Sequence, residues 1–71
     1  MPASLKPRQV EKVLLSNGFV IKRQTGSHRI YFKPKKSDLV IVPFHSKDIP
    51  RGTLRSIIKK SGLEEEEFVK R

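Results

Sequence analysis

The chain has 71 residues, enough for one small domain and too few for a deep enclosed cofactor pocket. Sixteen Lys and Arg oppose seven Asp and Glu, a net charge of +9 at neutral pH, which points to a polyanionic partner, nucleic acid first. Cysteine is absent, which excludes disulfide scaffolds, thiolate zinc sites and cysteine nucleophiles.

Residues 6–17 read as a helix. Pro7 suits the first turn, where its missing N–H costs nothing. Val10, Val13 and Leu14 fall at i, i+3 and i+4 and make one apolar stripe. Asn17-Gly18 closes the helix, and Ser4 is a candidate cap. Residues 19–24 read as a strand, Thr25-Gly26-Ser27 as a turn and residues 28–33 as a second strand, so the three form a hairpin. Residues 34–38 break the pattern. Residues 39–43 make a third, β-branched strand, which Pro43 should end or place on an edge. After a loop over 44–49, Asp48 is placed to cap a helix from about Pro50 to Ser61. Its apolar stripe is Leu54, Ile57 and Ile58. Lys59 and Lys60 sit in its last turn, where the helix dipole favours positive charge. Gly62 ends it, and residues 63–69 read as a short helical turn anchored by Leu63 and Phe68.

High net charge with few apolar residues is also the composition of a disordered chain. Here the apolar residues are clustered and periodic, which favours a fold. The expected class is α+β: a single domain over 1–71, α-β-β-β-α, with a three-stranded antiparallel sheet and both helices on one face. The charge is unevenly placed. Residues 1–63 hold 14 basic side chains against 3 acidic, a net +11, and the tail from 64 to 71 carries a net −2.

No apolar run approaches the roughly 20 residues of a membrane span, and residues 1–8 are too polar for a signal-peptide core. A cytoplasmic protein with no membrane partner is expected. The only histidines are His28 and His45, and carboxylates are scarce. No metal site and no cofactor are expected.

Alternation along the second strand puts Ile30 and Phe32 on one face, and Arg29, Tyr31 and Lys33 on the other. Ile30 and Phe32 are the expected core pair. The outer row is then cationic with one aromatic. It either holds phosphates and stacks a base on Tyr31 or is an ordinary solvated face. His28 shares the parity of Ile30 and Phe32, yet it follows Gly26-Ser27 at the mouth of the hairpin. Gly26 permits close backbone approach, and the N–H groups beside Ser27 could receive a phosphate. Lys22, Arg23 and Arg29 lie nearby in the hairpin. A histidine among cations suits RNA cleavage. A neutral imidazole, with an ordinary pKa of about 6.5, takes the proton of the 2′-hydroxyl, and that oxygen attacks the adjacent phosphorus. Cations stabilise the charge that builds on the phosphoryl oxygens.

The chain resembles the HicA toxins of bacterial and archaeal toxin–antitoxin systems. The resemblance rests on Gly18-Phe19 after the first helix, Gly26-Ser27-His28 followed by Tyr31, and Val42-Pro43-Phe44-His45. It continues through Gly52-Thr53-Leu54, Ile57-Ile58-Lys59 and Ser61-Gly62-Leu63 to an acidic stretch before Phe68. It implies a fold similar to double-stranded-RNA-binding domains, and a ribosome-independent mRNA endoribonuclease that arrests growth; the 2′-hydroxyl chemistry above makes that endoribonuclease metal-independent. It also implies a HicB antitoxin that neutralises the toxin by contact, and it assigns His28 as the catalytic histidine. His45 matches a second histidine of the pattern. Its role is either general acid for the leaving 5′-oxygen or, the preferred reading, a structural one, capping the following helix or holding the loop. The alternative function is an RNA-binding module of double-stranded-RNA-binding type that leaves RNA whole.

Overall fold

The computed structural model describes residues 5–35, 38–44 and 47–69. The first helix, α1, runs Pro7–Ser16 and begins where expected, with Pro7 in its first turn. The candidate cap Ser4 lies outside the described residues. The N-cap is Lys6, whose backbone N–H donates to Gln9 Oε1 at 2.8 Å. The end of α1 is a Schellman motif: Phe19 N–H donates to Leu14 O at 3.0 Å and Gly18 N–H to Leu15 O at 3.4 Å. Gly18 takes φ 91°, and a Cβ there would stand 3.2 Å from Lys33 Cε, so both conformation and space favour glycine.

Three strands follow: β1 Val20–Thr25, β2 His28–Phe32 and β3 Leu39–Pro43. They pair antiparallel in the order β1-β2-β3, which leaves β1 and β3 as edges. The register sets Thr25 opposite His28 and Tyr31 opposite Val40. A register shift between Ile21 and Arg23 lets Val20 and Arg23 each face a residue of β2 of the same parity, Phe32 and Ile30. The second helix, α2, runs Arg51–Ser61, and a 3-10 turn follows at Glu65–Phe68.

The cap expected from Asp48 is not the one observed. The N-cap of α2 is Pro50, which supplies no capping side chain. Asp48 instead meets Lys6 Nζ at 3.1 Å. Beside this pair, Ile49 N–H donates to Leu5 O at 2.8 Å in an isolated bridge. The segments leading into the two helices are thereby tied to each other.

One core joins both helices to one sheet face. It contains Val10 and Leu14 of α1, Leu54, Ile57 and Ile58 of α2, and Tyr31, Val40 and Val42 of the sheet. Phe19, Ile49 and Phe68 close it. Val13 and Leu63 pack against it only partly buried. The helices therefore lie together on one side, as the two apolar stripes required, in the arrangement of a double-stranded-RNA-binding domain.

The sheet meets this core with the face opposite to the expected one. Tyr31 is 0% exposed, whereas Ile30 and Phe32, the expected core pair, are only half-buried. The reason is the partner set of each face. Tyr31 lies opposite Val40, and its ring joins that valine and Val42 beneath the helices, while its hydroxyl finds a carboxylate there. A buried phenol with a bonded hydroxyl loses little. The outward face thus carries Ile30, Phe32, Leu39 and Ile41 rather than a cationic row.

Candidate nucleic-acid interface

The hairpin turn supplies the site's frame. Gly26 adopts φ 55°, which brings the chain around within two residues, and β2 opens directly with His28. Ser27 is half-buried, and its carbonyl accepts the N–H of Phe44, which ties the turn to the end of β3. His28 is exposed, paired across the ladders with Thr25 on one side and Pro43 on the other. By alternation it stands on the face turned away from the helices, at the end of the sheet that carries the hairpin turn.

The residues named from sequence divide into two groups. Gly26, Ser27 and His28 are consecutive, and Lys22 and Arg23 lie exposed on the edge strand that leads into the turn. Arg23 faces the same side as Ile30 and hence as His28. The structure brings these together. It does not bring Lys33 to the turn, since five residues of extended chain separate it from His28, about 16 Å. Lys33 instead places its Nζ 5.7 Å from the centre of the Phe19 ring. Tyr31 cannot stack a base, being buried under the helices. His45 lies outside the described residues.

Arg29 turns inward as well. Its Nη1 donates to Glu11 Oε2 at 2.7 Å, and Tyr31 Oη donates to the same oxygen at 2.6 Å. Its guanidinium carbon lies 4.1 Å from the centre of the Phe44 ring. The charge of Arg29 is thus matched by Glu11 and covered by an aromatic ring, which makes it a tie between β2, α1 and the end of β3. Its Nε is buried with no hydrogen-bond partner. Glu11 is the residue that sequence reading missed. The signal was available: it is one of only three acids in residues 1–63, and it borders the stripe formed by Val10 and Leu14.

The network has an electrostatic signature. Burial on its own would raise the Glu11 carboxyl, but the hydrogen bonds from Tyr31 and Arg29 outweigh it and hold the group below its usual 4.5. Burial, then the neighbouring Glu11 carboxylate, push the Tyr31 hydroxyl well above its usual 10.0. The signs differ. Glu11 contributes stability that is complete above pH 4.5 and is lost as pH falls through its lowered folded value. Tyr31 contributes stability that is complete below pH 10 and is lost as pH rises above it. Thermal melts of wild type and Glu11→Gln should therefore converge as pH drops below 4.5. A difference that stays constant across that window would contradict the role given to Glu11.

The pattern of residues that forms this frame matches the family model described as the HicA toxin of bacterial toxin–antitoxin, over residues 7–63. The chain belongs to the HicA toxin family. Comparison with curated proteins gives no significant match. The HicA match takes in every helix and strand from α1 to α2, and with them His28, Glu11 and Tyr31. It stops before the acidic turn at Glu65–Phe68. The acidic turn lies beyond the matched residues and is held to the core by the buried Phe68.

Proposed function

We propose that this protein is the toxin of a type II toxin–antitoxin pair and acts as a metal-independent, ribosome-independent mRNA endoribonuclease. The observation that carries the reading is the exposed His28 directly after Gly26-Ser27, in a chain of the HicA family. His28 is the general base. Its imidazole takes the proton of a ribose 2′-hydroxyl, the 2′-oxygen forms a bond to the adjacent phosphorus, and the bond from phosphorus to the 5′-oxygen breaks. The 5′-oxygen gains a proton from solvent. The products are a 2′,3′-cyclic phosphate and a 5′-hydroxyl. DNA, lacking the 2′-hydroxyl, is inert to this route.

Lys22 and Arg23 are the cations placed to meet phosphoryl charge, because they are exposed on the strand that enters the turn. The N–H groups around Gly26 and Ser27 add donors without side chains. The protein acts in the cytoplasm on mRNA and is held inactive by a HicB antitoxin. Since RNA supplies its own nucleophile, no metal-bound water is required. Purified protein should cut long mRNA at the same rate with and without EDTA. Cleavage abolished by EDTA and restored by a divalent cation would contradict this chemistry. The second reading, an RNA-binding module without chemistry, is favoured by the double-stranded-RNA-binding arrangement alone. It requires RNA to be bound and recovered intact.

A further inference from the structure

His28 and Arg29 are consecutive, and alternation sends their side chains to opposite faces of the sheet. His28 stands on the open face, at the turn end. Arg29 reaches inward and meets two other elements. Its Nη1 donates to Glu11 Oε2 of α1 at 2.7 Å, and its guanidinium carbon lies 4.1 Å from the centre of the Phe44 ring, just past the end of β3. Both partners are themselves held. The Tyr31 hydroxyl donates to the same Glu11 oxygen at 2.6 Å. The Phe44 N–H donates to the carbonyl of Ser27, the residue immediately before His28. One side chain thus links the first helix, the core tyrosine, the end of β3 and the hairpin turn, next to the residue that carries the imidazole. On its other side the hairpin has only β1, an edge strand exposed along its whole length.

Stability alone does not explain an arginine at this position. Its Nε is buried without a hydrogen-bond partner, which costs free energy. Buried ion pairs are also often matched by apolar residues of similar volume. What this pair fixes is geometry. A planar guanidinium lays its face on the Phe44 ring while its edge donates to Glu11, and a lysine ammonium has no plane with which to do both. We propose that Arg29 is a positioning residue: by tying β2 to Glu11 and Phe44 it fixes the backbone at the hairpin turn and so aims the His28 imidazole at the ribose 2′-hydroxyl. The proposal rests on the nuclease reading above. Arg29 acts through His28 and makes no contact with RNA. Its effect on the rate is large, because a misplacement of about 1 Å at a reacting group can cost about 10²-fold.

The test compares the purified wild-type chain with Arg29→Lys, which keeps the charge, and Phe44→Leu, which keeps the apolar bulk. Circular dichroism gives the folded fraction of each. Both variants should cut a defined RNA at saturating protein about tenfold or more slowly. Their affinity for a 2′-O-methyl RNA of the same sequence, which has no nucleophile, should stay within about twofold, since no charge is lost. Phe44→Tyr keeps the ring and should keep the rate. The double variant should be no slower than the slower single one, because the two groups act as a unit. Wild-type rates in both Arg29→Lys and Phe44→Leu overturn the proposal. So does a loss of RNA affinity in Arg29→Lys at an unchanged saturated rate, which would make Arg29 a phosphate ligand. A slow Phe44→Tyr, additive losses in the double variant, or a loss that tracks the unfolded fraction reduces the tie to a structural one and also overturns it. Hydrogen exchange of the Phe44 N–H reads the tie without cleavage. If the wild type leaves RNA whole, the nuclease reading fails and this exchange decides the tie: it stands if Arg29→Lys loses about tenfold in protection, and falls if protection is kept.

Discussion

His28→Ala should lower RNA cleavage by about 10²–10⁴-fold while leaving the fold and RNA binding in place. The side chain is exposed at the start of β2, so its truncation opens no cavity. Its backbone continues to pair with Thr25 and Pro43. The loss should fall on the rate of the chemical step rather than on affinity, because Lys22, Arg23 and the turn amides remain. Expression of the variant should permit growth where the wild type arrests it. A purified His28→Ala chain that cuts RNA at the wild-type rate would remove His28 as the base.

Tyr31 is the position where the sequence and structural accounts make opposite predictions. If Tyr31 were an exposed stacking residue, Tyr31→Phe would be silent in both roles. Tyr31→Ala would then weaken RNA binding with little effect on stability. Buried among Val40, Val42 and the helices, it should behave in the reverse way. Tyr31→Phe removes a hydrogen bond to a carboxylate and should cost about 1.5–3 kcal/mol. For a domain of this size that lowers the melting temperature by roughly 10 °C. Tyr31→Ala adds a cavity and should cost about 3–5 kcal/mol. A domain of 71 residues has a total stability of roughly 4–11 kcal/mol, so the alanine variant should lose a large share of it and melt far below the wild type. Thermal denaturation followed by circular dichroism reads both. A Tyr31→Ala chain that melts like wild type would contradict the packing described here.

The elements were legible because their ends are marked chemically. Gly18, Gly26, Pro34 and Gly62 punctuate the chain at the places where the structure turns. The stripes of α1 and α2 then required a shared apolar surface. Alternation also fixed, correctly, that Ile30 and Phe32 lie opposite Arg29 and Tyr31. It could not fix which pair faces inward. Hydrophobicity favours Ile and Phe for the core, and it lost here to an acceptor 20 residues away: Glu11, which accepts from both Tyr31 and Arg29. A pattern read within one strand has no access to that contact. The same inversion redraws the candidate site. Arg29, Tyr31 and Lys33 become ties to α1, the core and the Phe19 ring. The open face becomes apolar, with His28 and Arg23 on it.

The reading of Gly26, Ser27 and His28 as a unit needed only the sequence, because a two-residue turn keeps neighbours together in space. The convergence of Ser27 with Phe44 needed the sheet, since the bond between them joins the hairpin to a strand end 17 positions on. The charge of +9 has also changed meaning. It does not lie on the sheet's open face as a uniform grip. On β1 it is exposed at Lys22 and Arg23, while at Arg29 it is matched by Glu11.

The most direct measurement of the central claim is the chemistry of the cut ends. Purified wild-type protein is incubated with a defined RNA, and the termini of the products are identified by mass spectrometry. Attack by the 2′-oxygen after proton removal by His28 predicts a 2′,3′-cyclic phosphate on one fragment and a 5′-hydroxyl on the other. A 3′-hydroxyl with a 5′-phosphate would mean that water, and not the ribose, was the nucleophile, and would contradict it.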